Sequence, residues 1–316
     1  MASTSNTNGR HVHAVCITGL QRSYPEISHN IHYSLSNLYS GWSDAQSGGS
    51  SQAQQAWNLE EHVGFFGVRP ANDSWATVRT DLPPLLGESI QTPCGLKRAP
   101  WFSAYAKTSH QKVIYSFSFV QMMCDLKACH RLVQAHEQKV GRDFVTVARL
   151  RLDLAWETPL IMPPVLRPNA VYSARMNTKA GLNDKWAIGL RAPMASYLNR
   201  VELIPVANAL YNHSARSISL KATGVKDGLL SYNCPPGSIN VAFTCPPRYY
   251  RTTEWQWKWG VAGVSAGTLP AAQRRFTMTS EGFLMWALWR ANVTIAFESS
   301  WMFCKFGNAI NTTART

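Results

Sequence analysis

Val145-Thr-Val-Ala-Arg149-Leu-Arg151-Leu-Asp153-Leu-Ala-Trp156 is an apolar run that ends abruptly in two arginines and an aspartate. Phe144, Val145, Val147 and Ala148 have the composition of a short buried strand. Beyond them Arg149, Arg151 and Asp153 alternate with Leu150, Leu152 and Leu154, so in extended backbone the three polar groups face one way. Charges at the mouth of a buried strand need partners, because an isolated desolvated ion is strongly unfavourable. Two readings follow. In one, the guanidiniums grip an anionic ligand while the carboxylate serves a metal or a hydroxyl. In the other, an Arg–Asp ion pair simply closes the strand end.

The flanking sequence repeats the alternation of strands and helices. Val12–Thr18 reads as a first strand, and Gly19-Leu-Gln21-Arg22 as a tight turn. Ser23, Pro25 and Glu26 fit the cap and first turn of a helix that carries Ile27, Ile31, Leu35 and Leu38 on one face. Ser43–Gln55 reads as a polar loop and His62–Val68 as a second strand ended by Arg69-Pro70. A helix is expected around Ser74–Thr80 and a short strand over Glu88–Thr92. Lys107–Val140 has a long helical period through Val113, Phe117, Val120, Met123, Leu126, Leu132 and Ala135, stopped by Gly141-Arg142-Asp143. Strands follow at Ala170–Ala174 and Lys185–Leu190. Then come a helix over Pro193–Ile204 with Pro205 as its stop, a helix over Ser280–Arg290 and a strand over Val293–Phe297. This pattern predicts a three-layer α/β/α domain with a mostly parallel sheet over residues 11–316, preceded by a disordered tail at 1–10 and interrupted by an irregular insertion at about 210–275. In such sheets ligands sit at the carboxyl ends of the strands, where the Gly19–Arg22 turn, Arg69 and the Arg149–Asp153 segment all fall.

Composition narrows the class. The chain has 316 residues, 31 Lys plus Arg against 18 Asp plus Glu, and a formal charge of +13. A basic balance favours nucleic acid, acidic membranes or phosphorylated small molecules. The charge is dispersed with no Lys/Arg-rich run, which disfavours nucleic acid even though Trp255–Trp259 mixes aromatic and basic residues. No stretch has the length of a membrane span, and Met1–Arg10 lacks the apolar core of a signal peptide, so a soluble, by default cytoplasmic, chain is expected. Among seven cysteines, Cys124 and Cys129 read as thiols in a helix core, and Cys234 and Cys245 as the ends of one loop that a disulfide could close. His130 and His136 read as solvated or capping residues of the long helix. Asn72, Asn212, Asn292 and Asn311 open glycosylation sequons, which carry little weight without a signal peptide.

The ordered set of segments resembles a diffuse group of GT-A-type glycosyltransferase-like proteins. The matching motifs are Gly19-x-x-Arg22, Val63-x-Phe65-Phe66, Arg149-x-Arg151-x-Asp153, Asn183-Asp184-x-Trp186-Ala-x-Gly189 and Ser280-Glu281. The resemblance covers roughly residues 12–70, 110–205 and 278–298. It implies a nucleotide-sugar donor over the first strand's carboxyl end and glycosyl transfer to a glycan or other hydroxyl acceptor. By position, Gly19, Gln21, Arg22, Arg69, Arg149 and Arg151 would hold the nucleotide or diphosphate. Asp153 would bind Mn²⁺ or Mg²⁺ and the donor, Asn183 and Asp184 would line the sugar or acceptor side, and Asp184 or Glu281 would be the base of an inverting transfer, Glu281 being otherwise a helix cap. The chain departs from the family in lacking Asp-x-Asp: Arg151 stands where a second acid is usual. That departure opens a metal-independent mechanism or a non-catalytic nucleotide- or glycan-binding protein of the same fold. A basic nucleic-acid-binding protein is the remaining alternative.

Overall fold

A computed structural model describes residues 11–18, 24–46, 59–69, 84–91, 94–96, 99–102, 109–163, 165–174, 184–215, 280–298, 301 and 303–305. The strands are β1 (His13–Thr18), β2 (Val63–Arg69), β3 (Leu85–Ile90), β4 (Thr146–Arg151), β5 (Leu154–Trp156), β6 (Ala170–Ala174), β7 (Trp186–Leu190), β8 (Thr294–Glu298) and β9 (Phe303–Lys305). The helices are α1 (Tyr24–Gln46), α2 (Leu59–His62), α3 (Ser109–Val140), α4 (Arg191–Leu198), α5 (Ile204–Ala215) and α6 (Ser280–Arg290). Seven strands form one sheet in the order β3-β2-β1-β4-β7-β6-β8, while β5 and β9 pair in a separate antiparallel ribbon. β7 runs against both of its neighbours, and every other pairing in the large sheet is parallel. The expected α/β architecture with a mostly parallel sheet is therefore present.

Strand alternation divides the core into two layers. Ala14, Cys16, Phe66, Val68, Val147 and Ala187 pack under α3, α4 and α6, while Val15, Ile17, Phe65, Ala148, Leu150 and Ile188 pack under α1 and beside the β5–β9 ribbon. Central strands buried on both faces read as near-continuous apolar runs, which is why β1, β2 and β4 were visible as sequence. Ile31, Leu35 and Leu38 are buried as the helical period of α1 required. Asn30 anchors that helix to the ribbon: its amide donates to the Trp156 carbonyl at 2.9 Å and accepts from the Trp156 N–H at 2.6 Å. Gly189 meets a steric demand, since a Cβ there would lie 2.8 Å from the Ala170 carbonyl oxygen on the neighbouring strand.

Several expectations are corrected. Residues 43–46 continue α1 instead of opening a loop. Phe117, placed in the core stripe of α3, is exposed, and the buried stripe is Ser116, Phe119, Val120, Met123 and Leu126. Val145 is 40% exposed, because β4 begins one residue later and the chain is still entering the sheet. Pro205 starts a helix instead of stopping one: α4 ends at Leu198, a 3-10 turn spans Arg200–Leu203, and Pro205 occupies the first turn of α5, where its missing N–H has no partner to lose. The ribbon strands β5 and β9 were not anticipated. The expected helix near Ser74–Thr80, the Ser23 cap and the Cys234–Cys245 loop lie outside the described residues.

The cysteine reading also changes. Cys129 of α3 is bonded to Cys16 of β1, and Cys124 to Cys94, each pair with Cα atoms 5.8 Å apart. The first links residues 113 apart, and closing a loop of that size in the unfolded chain is worth about 4–5 kcal/mol in the chain-entropy estimate.

His13, at the amino end of β1, lies in the core with Nδ1 2.8 Å from Thr146 Oγ1 and its ring 4.6 Å from that of Tyr39. Burial, reinforced by nearby His62, lowers its pKa from the ordinary 6.5 to about 4. A histidine depressed in the folded state stabilises the fold above the unfolded value of 6.5, and that contribution is lost as pH falls toward 4. His13→Phe cannot titrate. The stability difference between wild type and His13→Phe, measured by urea denaturation, is expected to change by about 2–3 kcal/mol between pH 7 and pH 4.5, to the wild type's disadvantage at low pH.

Candidate functional site

The strand order reverses direction between β1 and β4. From β1 the chain builds outward through β2 and β3, then crosses over α3 to β4 on the other flank. An open α/β sheet carries its ligand crevice outside the carboxyl ends of the strands at such a reversal. The register aligns those ends: Thr18 of β1 pairs with Val68 of β2 and with Arg151 of β4. Because β7 is antiparallel and Trp186 pairs with Leu150, Asp184 enters the sheet from this same edge. Arg69, Arg151, Asp153 and Asp184 are thus gathered on one edge from three separate segments. Glu281 lies in the first turn of α6, which runs back from that side to the start of β8. Gly19, Gln21, Arg22 and Asn183 lie outside the described residues.

Each arginine has a protein partner. Arg151 forks Asp153, with Nε donating to Oδ1 at 2.9 Å and Nη2 to Oδ2 at 2.6 Å. β4 ends at Arg151 and the chain turns at Leu152-Asp153, which brings this carboxylate back onto the guanidinium two residues earlier. The side chains remain 24% and 12% exposed, so the fork sits at the surface of the crevice. Arg69 pairs with Glu88 of β3 at 2.8 Å. Arg149 is fully buried and its Nη1 donates to the Tyr197 hydroxyl at 3.2 Å. The expected alternation holds only as far as Arg151, where β4 ends; Asp153 reaches Arg151 through a turn, and Arg149 is interior.

Behind the edge lies a polar layer that sequence reasoning missed. Tyr197 of α4 joins three segments. Its hydroxyl accepts from Arg149 and donates to the backbone carbonyl of Asp184 at 3.3 Å, and its ring lies under the Arg200 guanidinium at 4.3 Å. Arg200 Nη1 donates to the Tyr197 carbonyl. Burial lowers the Arg200 pKa to about 10, against the favourable pull of Tyr197 and Asp184. Asp184 is itself buried, so its position at the edge is fixed from behind by the tyrosine. Tyr197 and Arg200, three residues apart on a helical stripe with Met194, Leu198, Val201 and Ile204, were the signal available in the sequence.

Asp125 of α3 is a further acid near this layer. It accepts from Gln91, just past the end of β3, at 2.7 Å and from Gln121 at 3.0 Å. Burial raises its pKa to about 6, opposed by those hydrogen bonds and by Arg149. His130, expected to be solvated, is buried on the same helix with Nδ1 2.8 Å from the Asn199 amide, and burial lowers its pKa.

These residues do not fit a divalent cation. Asp153 gives both oxygens to Arg151, and among the described residues no group of three or more His, Cys, Asp or Glu side chains converges. Mg²⁺ and Mn²⁺ need several hard oxygen ligands, and a lone carboxylate already forked by a guanidinium supplies too few. The described edge brings the Arg151 guanidinium, forked by Asp153, close along the sheet to the buried Asp184. Among the described residues no helix is long and apolar enough to cross a membrane. The sequence matches no protein-family model, and no curated protein matches it.

Proposed function

We propose that this chain is a glycosyltransferase that moves a sugar from a nucleoside-diphosphate donor to an acceptor hydroxyl at the carboxyl edge of β1 and β4. The observation that carries the reading is the convergence there of the β1, β2 and β4 ends, the half-buried Arg151–Asp153 fork and the buried Asp184. The acceptor oxygen attacks the anomeric carbon and the bond from that carbon to the diphosphate breaks. The electron pair leaves on the diphosphate oxygen, and the hydroxyl proton passes to a carboxylate. Arg151 meets the charge that develops on the leaving group, the role fixed guanidiniums serve well in a partly dry crevice. Asp184, held by Tyr197, and Glu281, in the first turn of α6, are the two carboxylates proposed for the proton. No step is assigned to a metal.

The Arg151–Asp153 fork also favours a second reading, a non-catalytic nucleotide- or glycan-binding protein, because it occupies the carboxylate that metal-dependent transfer would use. One melting screen with UDP and GDP, with and without Mn²⁺, followed by transfer assays with the matching sugars, separates the two. A ligand at 100 times its Kd is expected to stabilise the fold by about 2.7 kcal/mol. Stabilisation with turnover supports the enzyme, and stabilisation without turnover the binder. A flat response to UDP and GDP counts against the enzyme and the nucleotide binder, and leaves glycan binding to the same screen run with oligosaccharides.

A further inference from the structure

We propose that Asn292 carries an N-linked glycan and that the chain folds in an oxidising, glycosylating compartment. Two independent features carry this. The first is Asn292-Val293-Thr294 in the turn between α6 and β8, where Asn292 is exposed with a positive φ of 54°. Asparagine tolerates that left-handed conformation better than most residues, so the turn alone accounts for the residue type and is not sufficient. The second feature is the pair of disulfides. Cys16–Cys129 joins the central strand to α3 with both residues fully buried, and Cys94–Cys124 joins α3 to an exposed segment just beyond β3. Four of the seven cysteines are thereby oxidised in two partnerships that cross the fold. Structural disulfides of this kind persist where thiols are not held reduced, which is also where asparagine sequons are modified.

The placement suits a glycan. Asn292 precedes the amino end of β8, an outer strand of the sheet, whereas the candidate site lies at the carboxyl ends. Its backbone neighbourhood is already complete without the side chain: the Val293 N–H bonds the Leu288 carbonyl at 2.9 Å and the Thr294 N–H the Asn169 carbonyl at 2.8 Å. In the modification the Asn292 amide nitrogen loses a proton and bonds the anomeric carbon of a lipid-diphosphate oligosaccharide. The bond from that carbon to the diphosphate breaks and the lipid diphosphate leaves. Each disulfide forms as two thiols lose two protons and two electrons to a disulfide-bearing oxidase of the compartment.

The full chain is isolated from its own cells with free thiols blocked before lysis, then digested without reductant and analysed by peptide mass spectrometry. The expected result is linked peptides for Cys16–Cys129 and Cys94–Cys124, and a glycan on the peptide that follows Arg290. That glycan should be removed by peptide-N-glycosidase with conversion of Asn292 to aspartate. Asn292→Gln is expected to lose this glycan, keep both disulfides and leave nucleotide-induced stabilisation unchanged. Blocked free thiols at Cys16 and Cys129, or an unmodified Asn292 peptide in oxidised protein, overturns the proposal.

Discussion

Arg151→Ala is expected to lower kcat/KM for sugar transfer by roughly 10²–10³-fold while lowering the melting temperature only modestly. The two halves of the prediction come from different physics. In the resting protein Arg151 forks Asp153 at the rim of the crevice, with its side chain 24% exposed. Asp153 is buried, at 8% exposure for the whole residue, so removing its guanidinium partner should cost about 1–3 kcal/mol and lower the melting temperature by a few degrees. The transition state is different: negative charge grows on the departing diphosphate where solvent is partly excluded, and a guanidinium already aimed by Asp153 stabilises it without reorganising. Arg151→Lys keeps the charge and loses the planar fork, so its activity should fall between wild type and alanine. Asp153→Asn tests the alternative assignment. If Asp153 held a metal, its replacement would abolish turnover more completely than loss of Arg151 and would change the Mn²⁺ dependence. If its task is to aim Arg151, Asp153→Asn should cost no more than Arg151→Ala, and the double variant should be no worse than Arg151→Ala alone. A loss of less than about threefold in Arg151→Ala, measured with a donor that stabilises the protein, removes Arg151 from the leaving-group role.

What the sequence disclosed follows from which forces act locally. β1, β2 and β4 are buried on both faces, so Val15, Phe65 and Val147 with their neighbours form near-continuous apolar runs, with Arg149 the one buried charge in β4. The edge was legible for the same reason: where an apolar run stops at Arg69 or at Arg151 the strand stops too, and parallel neighbours in register bring those stops together. The direction of β7 was not legible, because periodicity within Trp186–Leu190 is the same either way. Nor was the break at Asn199. Residues 193–204 have a continuous apolar stripe, and only the 3-10 turn turns Pro205 from a terminator into a starter. The Tyr197–Arg149–Arg200 layer escaped because its partners are 48 residues apart along the chain or lie in that misread helix. The cysteine partnerships escaped for a related reason, since sequence spacing cannot report that Cys16 and Cys129 face each other across a strand and a helix.

Glu137→Ala is expected to destabilise the fold by about 2–4 kcal/mol, for a buried N–H left without its acceptor together with the lost charge-assisted hydrogen bonds to Arg191. Glu137 is buried near the end of α3, where its carboxylate closes a junction of three segments. Oε1 accepts from the Phe144 N–H at 3.0 Å, just ahead of β4, and from Arg191 Nε at 2.7 Å, while Oε2 accepts from Arg191 Nη2 at 2.8 Å. The same residue's carbonyl accepts the N–H groups of Gly141 and Arg142, with Gly141 in the left-handed conformation that ends the helix. Side chain and backbone of one residue therefore fix how α3 hands over to β4 and how β7 hands over to α4. Alanine leaves the Phe144 N–H buried without its acceptor, a loss of about 1–3 kcal/mol in itself, and deprives Arg191 of its main counter-charge. Arg191 is 38% exposed and can turn toward water or toward Asp143, already 3.6 Å away, so the arginine side of the loss is softened. Glu137→Gln should fall well short of the alanine effect, because an amide oxygen still accepts from Phe144 and from one guanidinium nitrogen. Arg191→Ala should be intermediate, since it strands the buried carboxylate but keeps the Phe144 hydrogen bond. If urea midpoints at pH 7 rank the three variants otherwise, and above all if Glu137→Ala costs less than about 1 kcal/mol, the junction is held by the packing of Phe144 against Phe66 and His136 instead of by the charge.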